Sequence, residues 1–256
     1  MGNGESETVQ IRNLRRIVLN NGFQFTDSFF PYTSGEIGPY YIQSAAVMAN
    51  GEDYSEACRD MQRLIIKSVT YNFNIISGGE TRDWMFSMPL ATIIGTSHAM
   101  IYKNGKILGA DVNGKRVVHV ADLNNEGSSP RDFWVPFIKN AGGDMQDIFF
   151  YVDRLEDGVD VIRELGLNRH CLVPLNCTSW DYLAKMGVVS PEIYENLMKR
   201  MEDKGTWARN MLRSSKGFRT LSGLLNSSDE KTRGKGLKIL ATYPDIAGEL
   251  QERLNN

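Results

Sequence analysis

The chain has 256 residues, of which 41% are hydrophobic and 23% charged, and its formal net charge is −2. That length suffices for one large domain, or for one domain with an appendage. The near-neutral balance argues against a basic nucleic-acid surface, and no run approaches the ~18 apolar residues of a membrane helix. The three cysteines, Cys58, Cys171 and Cys177, show no C-x-x-C spacing. They argue against a disulfide framework or a zinc site and fit a reducing, cytoplasmic setting. The N-terminus, MGNGESETVQIRNL, is polar and lacks an apolar export stretch.

In chain order, residues 7–20 place Val9, Leu14, Ile17 and Val18 near helical spacing, and Asn21-Gly22 stops the run. FQFTDSFF follows, then YTSGEIGPYYIQ, a turn-rich segment ending in a short strand. Residues 53–71 read as an amphipathic helix. FNIISGG (73–79) is a buried strand closed by two glycines, and residues 81–95 return to helical spacing. SHAMIYKNG (97–105) is a strand and turn, KRVVHVADL (115–123) a third strand, and residues 129–143 a helix. DMQDIFFYVDR (144–154) is a fourth strand, 158–166 a helix and NRHCLVPL (168–175) a fifth strand.

Strands alternating with helices predict an α/β fold, a mainly parallel sheet flanked by helices. Their apolar runs lack period-2 alternation, as strands buried on both faces do. Ligands of such sheets bind at the carboxyl ends of the strands. The loops to inspect are therefore SGGETRDW, YKNGK, ADLNNEGSS and VDRLEDG. Beyond about residue 178 only helical signals remain, with starts at Ser190-Pro191-Glu192 and at Ser227-Ser-Asp-Glu. Three or four helices are expected there. The expected division is an α/β domain over 1–178, with the N-terminal hood included, and a helical extension over 179–256. His98, His119 and His170 show no ligand spacing, and His119 reads as a satisfied core histidine. Trp84, Trp134 and Trp180 read as packing residues.

Five stretches in order over roughly residues 10–178 resemble the type I phosphoribosyltransferases, in particular the orotate phosphoribosyltransferases. Thr33-Ser-Gly-Glu-Ile-Gly-Pro-Tyr-Tyr41 is similar to the hood segment that covers the orotate base, so Tyr40 and Tyr41 are candidate ring platforms. Ser77-Gly-Gly-Glu-Thr-Arg-Asp-Trp84 resembles the pyrophosphate loop. Arg82 stands at its basic position, while Asp83 replaces a usual glycine. Tyr102-Lys-Asn-Gly-Lys106 keeps the Lys-x-x-Lys spacing in Lys103 and Lys106. That motif opens a long mobile loop, but here Leu108 replaces a histidine and the next strand begins about ten residues on. A loop this short cannot fold far over a ligand; a plain turn at Asn104-Gly105 is the alternative.

The fourth stretch, Ala121-Asp122-Leu-Asn-Asn-Glu-Gly-Ser-Ser129, matches the frame of two acids followed by a Thr-Thr-Gly phosphate loop. The resemblance implies that the two acids hold the ribose hydroxyls. Here Ala121 replaces the first, Asp122 keeps the second, and Asn125-Glu126 replaces the threonine pair. Gly127, Ser128 and Ser129 remain able to donate to a 5-phosphate. Two unit charges ~4 Å apart repel by about 4 kcal/mol at an effective dielectric of 20. The Glu126 carboxylate must therefore point away, pair with Arg131, or spoil the site. The fifth stretch, Val152-Asp-Arg-Leu-Glu-Asp-Gly158, resembles the motif whose arginine reads orotate's carboxylate, a role that would fall to Arg154.

The resemblance implies transfer of a 5-phosphoribosyl group from phosphoribosyl pyrophosphate to orotate in pyrimidine nucleotide synthesis. Mg²⁺ would act near Asp122 through the ribose hydroxyls. It also implies a homodimer, with small-molecule substrates and neither nucleic acid nor membrane as partner. Two alternatives stay open. One is a catalytically impaired relative that binds or senses a nucleotide; the other is a transferase with a different acceptor base.

Overall fold

In the computed structural model of the chain, which describes residues 8–255, the first helix is α1 (Val9–Leu19). Thr8 caps it by accepting from the Ile11 N–H. It ends as expected, with Asn21 in the left-handed region (φ 57°) ahead of Gly22. The start of the polar N-terminal stretch, residues 1–7, lies outside the described residues. Two strands follow, β1 (Phe23–Pro31) and β2 (Ile37–Ile42). After a 3₁₀ turn over Ser44–Ala49 comes α2 (Gly51–Ser68), capped by Asn50.

The expected alternation then appears. β3 (Ile75–Gly79) is buried throughout and leads into α3 (Trp84–Ile94). β4 (Ser97–Ile101) and β5 (Ile107–Gly109) form a hairpin, and β6 (Arg116–Asn124) is almost wholly buried. The helix expected over 129–143 is composite. Pro130–Trp134 is a π turn, followed by α4 (Val135–Asn140). Pro136 has no N–H to give the Asp132 carbonyl, and the Val135 N–H bonds back to Pro130, five residues away. β7 (Asp144–Asp153), α5 (Gly158–Glu164) and β8 (Asn168–Pro174) complete the sheet.

The strand order is β5-β4-β3-β6-β7-β8. Neighbours from β4 to β8 run parallel, and β5 is an antiparallel edge. The sheet thus has one strand more than the sequence periodicity suggests, because β5 is only three residues long. On one face Val117, Ala121, Ile148 and Phe150 pack with Trp134, Val135, Ile138 and Ile162. On the other, Phe86 stacks on Tyr151 at 4.5 Å.

The described chain forms two compact units. The sheet unit holds the chain through Gly22 together with Gln43–Ser179. The second joins Phe23–Ile42 to the chain from Trp180 onward. This differs from the expected division, which kept the hood with the sheet. Phe29 of β1 and Ile37 of β2 share a core with Trp207, Leu212, Leu221 and Ile239, and that shared core is the physical reason.

The second unit contains more helices than the three or four expected. α6 (Cys177–Lys185) crosses the boundary. After it come α7 (Pro191–Glu202), α8 (Lys204–Arg213), α9 (Ser215–Leu225), α10 (Glu230–Thr242) and α11 (Pro244–Asn255). Asp203 and Ser214 are single-residue breaks whose side chains cap the next helix, so the apolar periodicity runs through them. Among the described residues no helix is long and apolar enough to cross a membrane.

Candidate functional site

Parallel register brings the carboxyl ends of β3, β4, β6 and β7 to one edge of the sheet. The four loops singled out in the sequence leave from there. Two of them are clamped together. The Arg154 N–H donates to the Asn124 carbonyl at 3.0 Å, and the Gly158 N–H to the Asn125 carbonyl at 2.8 Å. Between the loops lies Asp153, fully buried. Its carboxylate accepts from the Asn124 amide at 3.3 Å, from the Leu155 N–H at 2.8 Å and from the Arg169 guanidinium.

Gly127 sits at φ +67°, and a Cβ there would lie 2.8 Å from the Val161 side chain. Only glycine satisfies both constraints. The chain turns directly into helix after it. Among the described residues, no hydrogen bond engages the N–H groups of Gly127, Ser128 and Ser129. Free first-turn N–H groups and the helix dipole favour an anion at this point. Glu126 is half-buried and accepts from the Asn125 amide at 3.3 Å. It does not pair with Arg131, whose guanidinium binds Asp132 at 2.8 Å. Of the three fates expected for Glu126, the arginine pairing is not formed.

Asp122, at the end of β6, is buried and accepts from the Ser44 hydroxyl at 2.6 Å. Burial first, and then the charge on Asp83, push its carboxyl up to about 7. Ala121 points the other way, into the apolar cluster with Trp134, where an unpaired acid would be costly.

Asp83 stands at the N-cap of α3, yet its side chain makes no capping bond to that helix. Instead, Oδ2 accepts from the Gly79 N–H at 3.0 Å and Oδ1 from the Asp122 N–H at 3.1 Å. It bridges the ends of two neighbouring parallel strands. His119 lies beside it and was expected as a satisfied core histidine. Its Nδ1 meets the Ser77 hydroxyl at 2.9 Å, but among the described residues Nε2 has no hydrogen-bond partner. That nitrogen lies 3.6 Å from Asp83 Oδ2, too far for a hydrogen bond. Arg82 is exposed, makes no ion pair among the described residues, and draws the Asp122 carboxyl downward electrostatically.

Lys103 and Lys106 are exposed in the tight turn between β4 and β5. The Tyr102 N–H donates to the Lys106 carbonyl at 2.9 Å, and Gly105 sits at φ +85°. Leu108 pairs in register with Met100. The segment expected to open a mobile loop is therefore a hairpin, as the alternative turn at Asn104-Gly105 had it.

Arg154 is 8% exposed, and its Nε donates to Glu156 Oε1 at 3.1 Å. In the other unit, Tyr40 is core rather than free platform. It is 2% exposed and its ring packs against Trp180 at 5.2 Å. Tyr41 is 38% exposed, beside Phe30. The sheet edge thus gathers the loops of Arg82, Asp122, Asn125–Ser129 and Arg154, with both lysines on the neighbouring turn. Sequence reasoning missed Ser44, Asn124, Asp153 and the bridging part of Asp83. The one available signal was the polar Asn124 and Asp153 ending two strands whose runs are mainly apolar.

No family model matches the chain. It is 27% identical over 207 residues to an orotate phosphoribosyltransferase of Ruegeria sp. (strain TM1040), covering 75% of this chain and 89% of that one. Among solved structures, the UMP synthase of Leishmania donovani superposes with a TM-score of 0.65 and 18% identity, over 75% of this chain and 42% of that chain. An orotate phosphoribosyltransferase of Francisella tularensis gives 0.61 and 15%, over 74% and 96%.

Proposed function

We propose, from a type I phosphoribosyltransferase fold and sequence relatives that are orotate phosphoribosyltransferases, that this protein binds a 5-phosphoribosyl ligand and transfers the phosphoribosyl group to orotate. The observation that carries the reading is the clamped loop Asn124–Ser129 beside Arg154. Gly127, Ser128 and Ser129 receive the 5-phosphate, Asp122 the ribose hydroxyls, and Arg154 the carboxylate of the base. In the transfer, the anomeric carbon–oxygen bond to pyrophosphate breaks with its electron pair on the leaving group, and a bond to an orotate nitrogen forms as that nitrogen's proton leaves to the departing pyrophosphate or to solvent. The protein positions the partners and offsets the leaving charge with Arg82, Lys103 and Lys106.

Mg²⁺ takes one or two carboxylates plus substrate phosphates. Asp122, buried near the end of β6, is the carboxylate that would serve it, acting through the ribose hydroxyls. When bound, the ion would supply charge neutralisation for the pyrophosphate. A cytoplasmic homodimer completes the proposal.

A second reading is a protein that holds such a ligand without turning it over. The β4–β5 hairpin favours it, since a two-stranded turn does not close over a reacting centre. Orotate depletion with phosphoribosyl pyrophosphate and Mg²⁺ separates the two. Consumption of orotate supports transfer. No turnover at high protein concentration, with orotidine 5-monophosphate binding intact by calorimetry, sinks the catalytic claim. Consumption of another base instead changes the acceptor.

A further inference from the structure

The end of β3 and the start of α3 form a second place where the backbone invites an anion. The Gly79 N–H and the Asp122 N–H point out of the ends of adjacent parallel strands, beside the first turn of an eleven-residue helix. Such donors at a strand end and a helix N-terminus attract negatively charged groups. Here the protein supplies the anion itself. Both oxygens of the Asp83 carboxylate are bound by these N–H groups.

A second observation marks the same spot. His119 is fully buried, and among the described residues its Nε2 has no hydrogen-bond partner and lies 3.6 Å from Asp83 Oδ2. A buried ring nitrogen is costly to leave unmade, and an anion seated slightly differently would engage it. The neighbouring loop is the opposite case. Its Gly127–Ser129 donors are unengaged among the described residues. One anion position is thus open and the other is filled by a side chain. No side chain fits at Gly79 itself, because a Cβ there would lie 2.1 Å from the Trp134 ring.

We propose that Asp83 is a specificity-determining residue, an internal anion that makes the site favour ligands with a single 5-phosphate over ligands that also carry a pyrophosphate. The inference rests on the reading that Gly127–Ser129 hold a 5-phosphate, and it holds with or without turnover. A pyrophosphate reaching the Gly79 and Asp122 donors must displace the carboxylate and meet its charge. A ligand with only the 5-phosphate meets neither obstacle.

The test is calorimetry on the full chain with ribose 5-phosphate and inorganic pyrophosphate, each titrated into wild type, Asp83→Gly and Asp83→Asn. Wild type binds ribose 5-phosphate at least ten times more tightly than pyrophosphate. Both variants gain at least tenfold in pyrophosphate affinity and change less than about threefold toward ribose 5-phosphate. Should the glycine variant lose its circular dichroism signal, the asparagine variant carries the test, since its amide oxygen still accepts one N–H. Folded variants with unchanged or weaker pyrophosphate affinity overturn the proposal. Absence of ribose 5-phosphate binding in every protein overturns instead the phosphate-loop reading on which it rests.

Discussion

Asp122 is an aspartate whose linkage to stability has the unusual sign. Burial, and then the nearby Asp83 charge, push its carboxyl up to about 7, against 3.8 for an ordinary aspartate. Between those two values the folded chain holds a proton that the unfolded chain has released. Its contribution therefore favours the fold at low pH and is lost as pH rises toward 7, by about 1.4 kcal/mol for each unit of separation. Asp122→Asn keeps the shape and removes the proton. In urea unfolding, the variant should gain stability relative to wild type between pH 5 and pH 8. An equal pH response in both proteins would show that the carboxyl titrates normally. Glu126 poses a different question, because among the described residues its carboxylate has only the Asn125 amide as a hydrogen-bond neighbour, in the loop proposed to hold phosphate. Glu126→Thr should tighten ribose 5-phosphate about tenfold, roughly a third of the repulsion of two charges ~4 Å apart at a dielectric of 20. Unchanged affinity in calorimetry would mean that the carboxylate already faces away from the ligand.

At the scale of elements, the two clamped loops after β6 and β7 stand or fall with Asp153. Asp153→Ala leaves the Arg169 guanidinium, the Leu155 N–H and the Asn124 amide without their common acceptor. The loss is expected to reach about 3 kcal/mol in urea unfolding, in the range for breaking a buried charge pair. A variant as stable as wild type would mean that the clamp is replaceable by water. These elements differ in how legible they were. β3, β6 and β7 announced themselves, because strands buried on both faces must be apolar throughout. β5 did not, since Ile107-Leu108-Gly109 is too short to show any period. What depends on chain order was legible, as in the places of Asp122 near the end of β6, Gly127 in the loop after it and Arg154 just past β7. What depends on which atoms meet was not. Asp83 reads as a flawed match in one dimension, and only the adjacency of β3 and β6 brings it to the Asp122 N–H.

On the scale of the molecule, the hood segment groups with a part of the chain about 140 residues away, which no local pattern could announce. Its strands contribute Phe29 and Ile37, 3% and 1% exposed, to a core otherwise built from α8, α9, α10 and α11. Polar contacts join the same parts. The Ser28 hydroxyl meets that of Thr220 at 2.7 Å, and Lys204 pairs with Glu36 at 2.7 Å. A two-stranded hairpin alone is marginal in water, so β1 and β2 owe their order to these helices. A chain ended at Ser179 should therefore lose the hairpin before it loses the sheet. Hydrogen exchange should find the amides of Phe23–Pro31 and Ile37–Ile42 unprotected in that shortened chain. Those of Ile75–Gly79 and Arg116–Asn124 should keep their protection, because their ladder partners and both apolar faces remain. Protection of the hairpin in the shortened chain would mean that the helices are an appendage and that the hood stands without them. If the hairpin opens while ribose 5-phosphate still binds, binding at the Gly127–Ser129 loop does not need the hood or the helical extension.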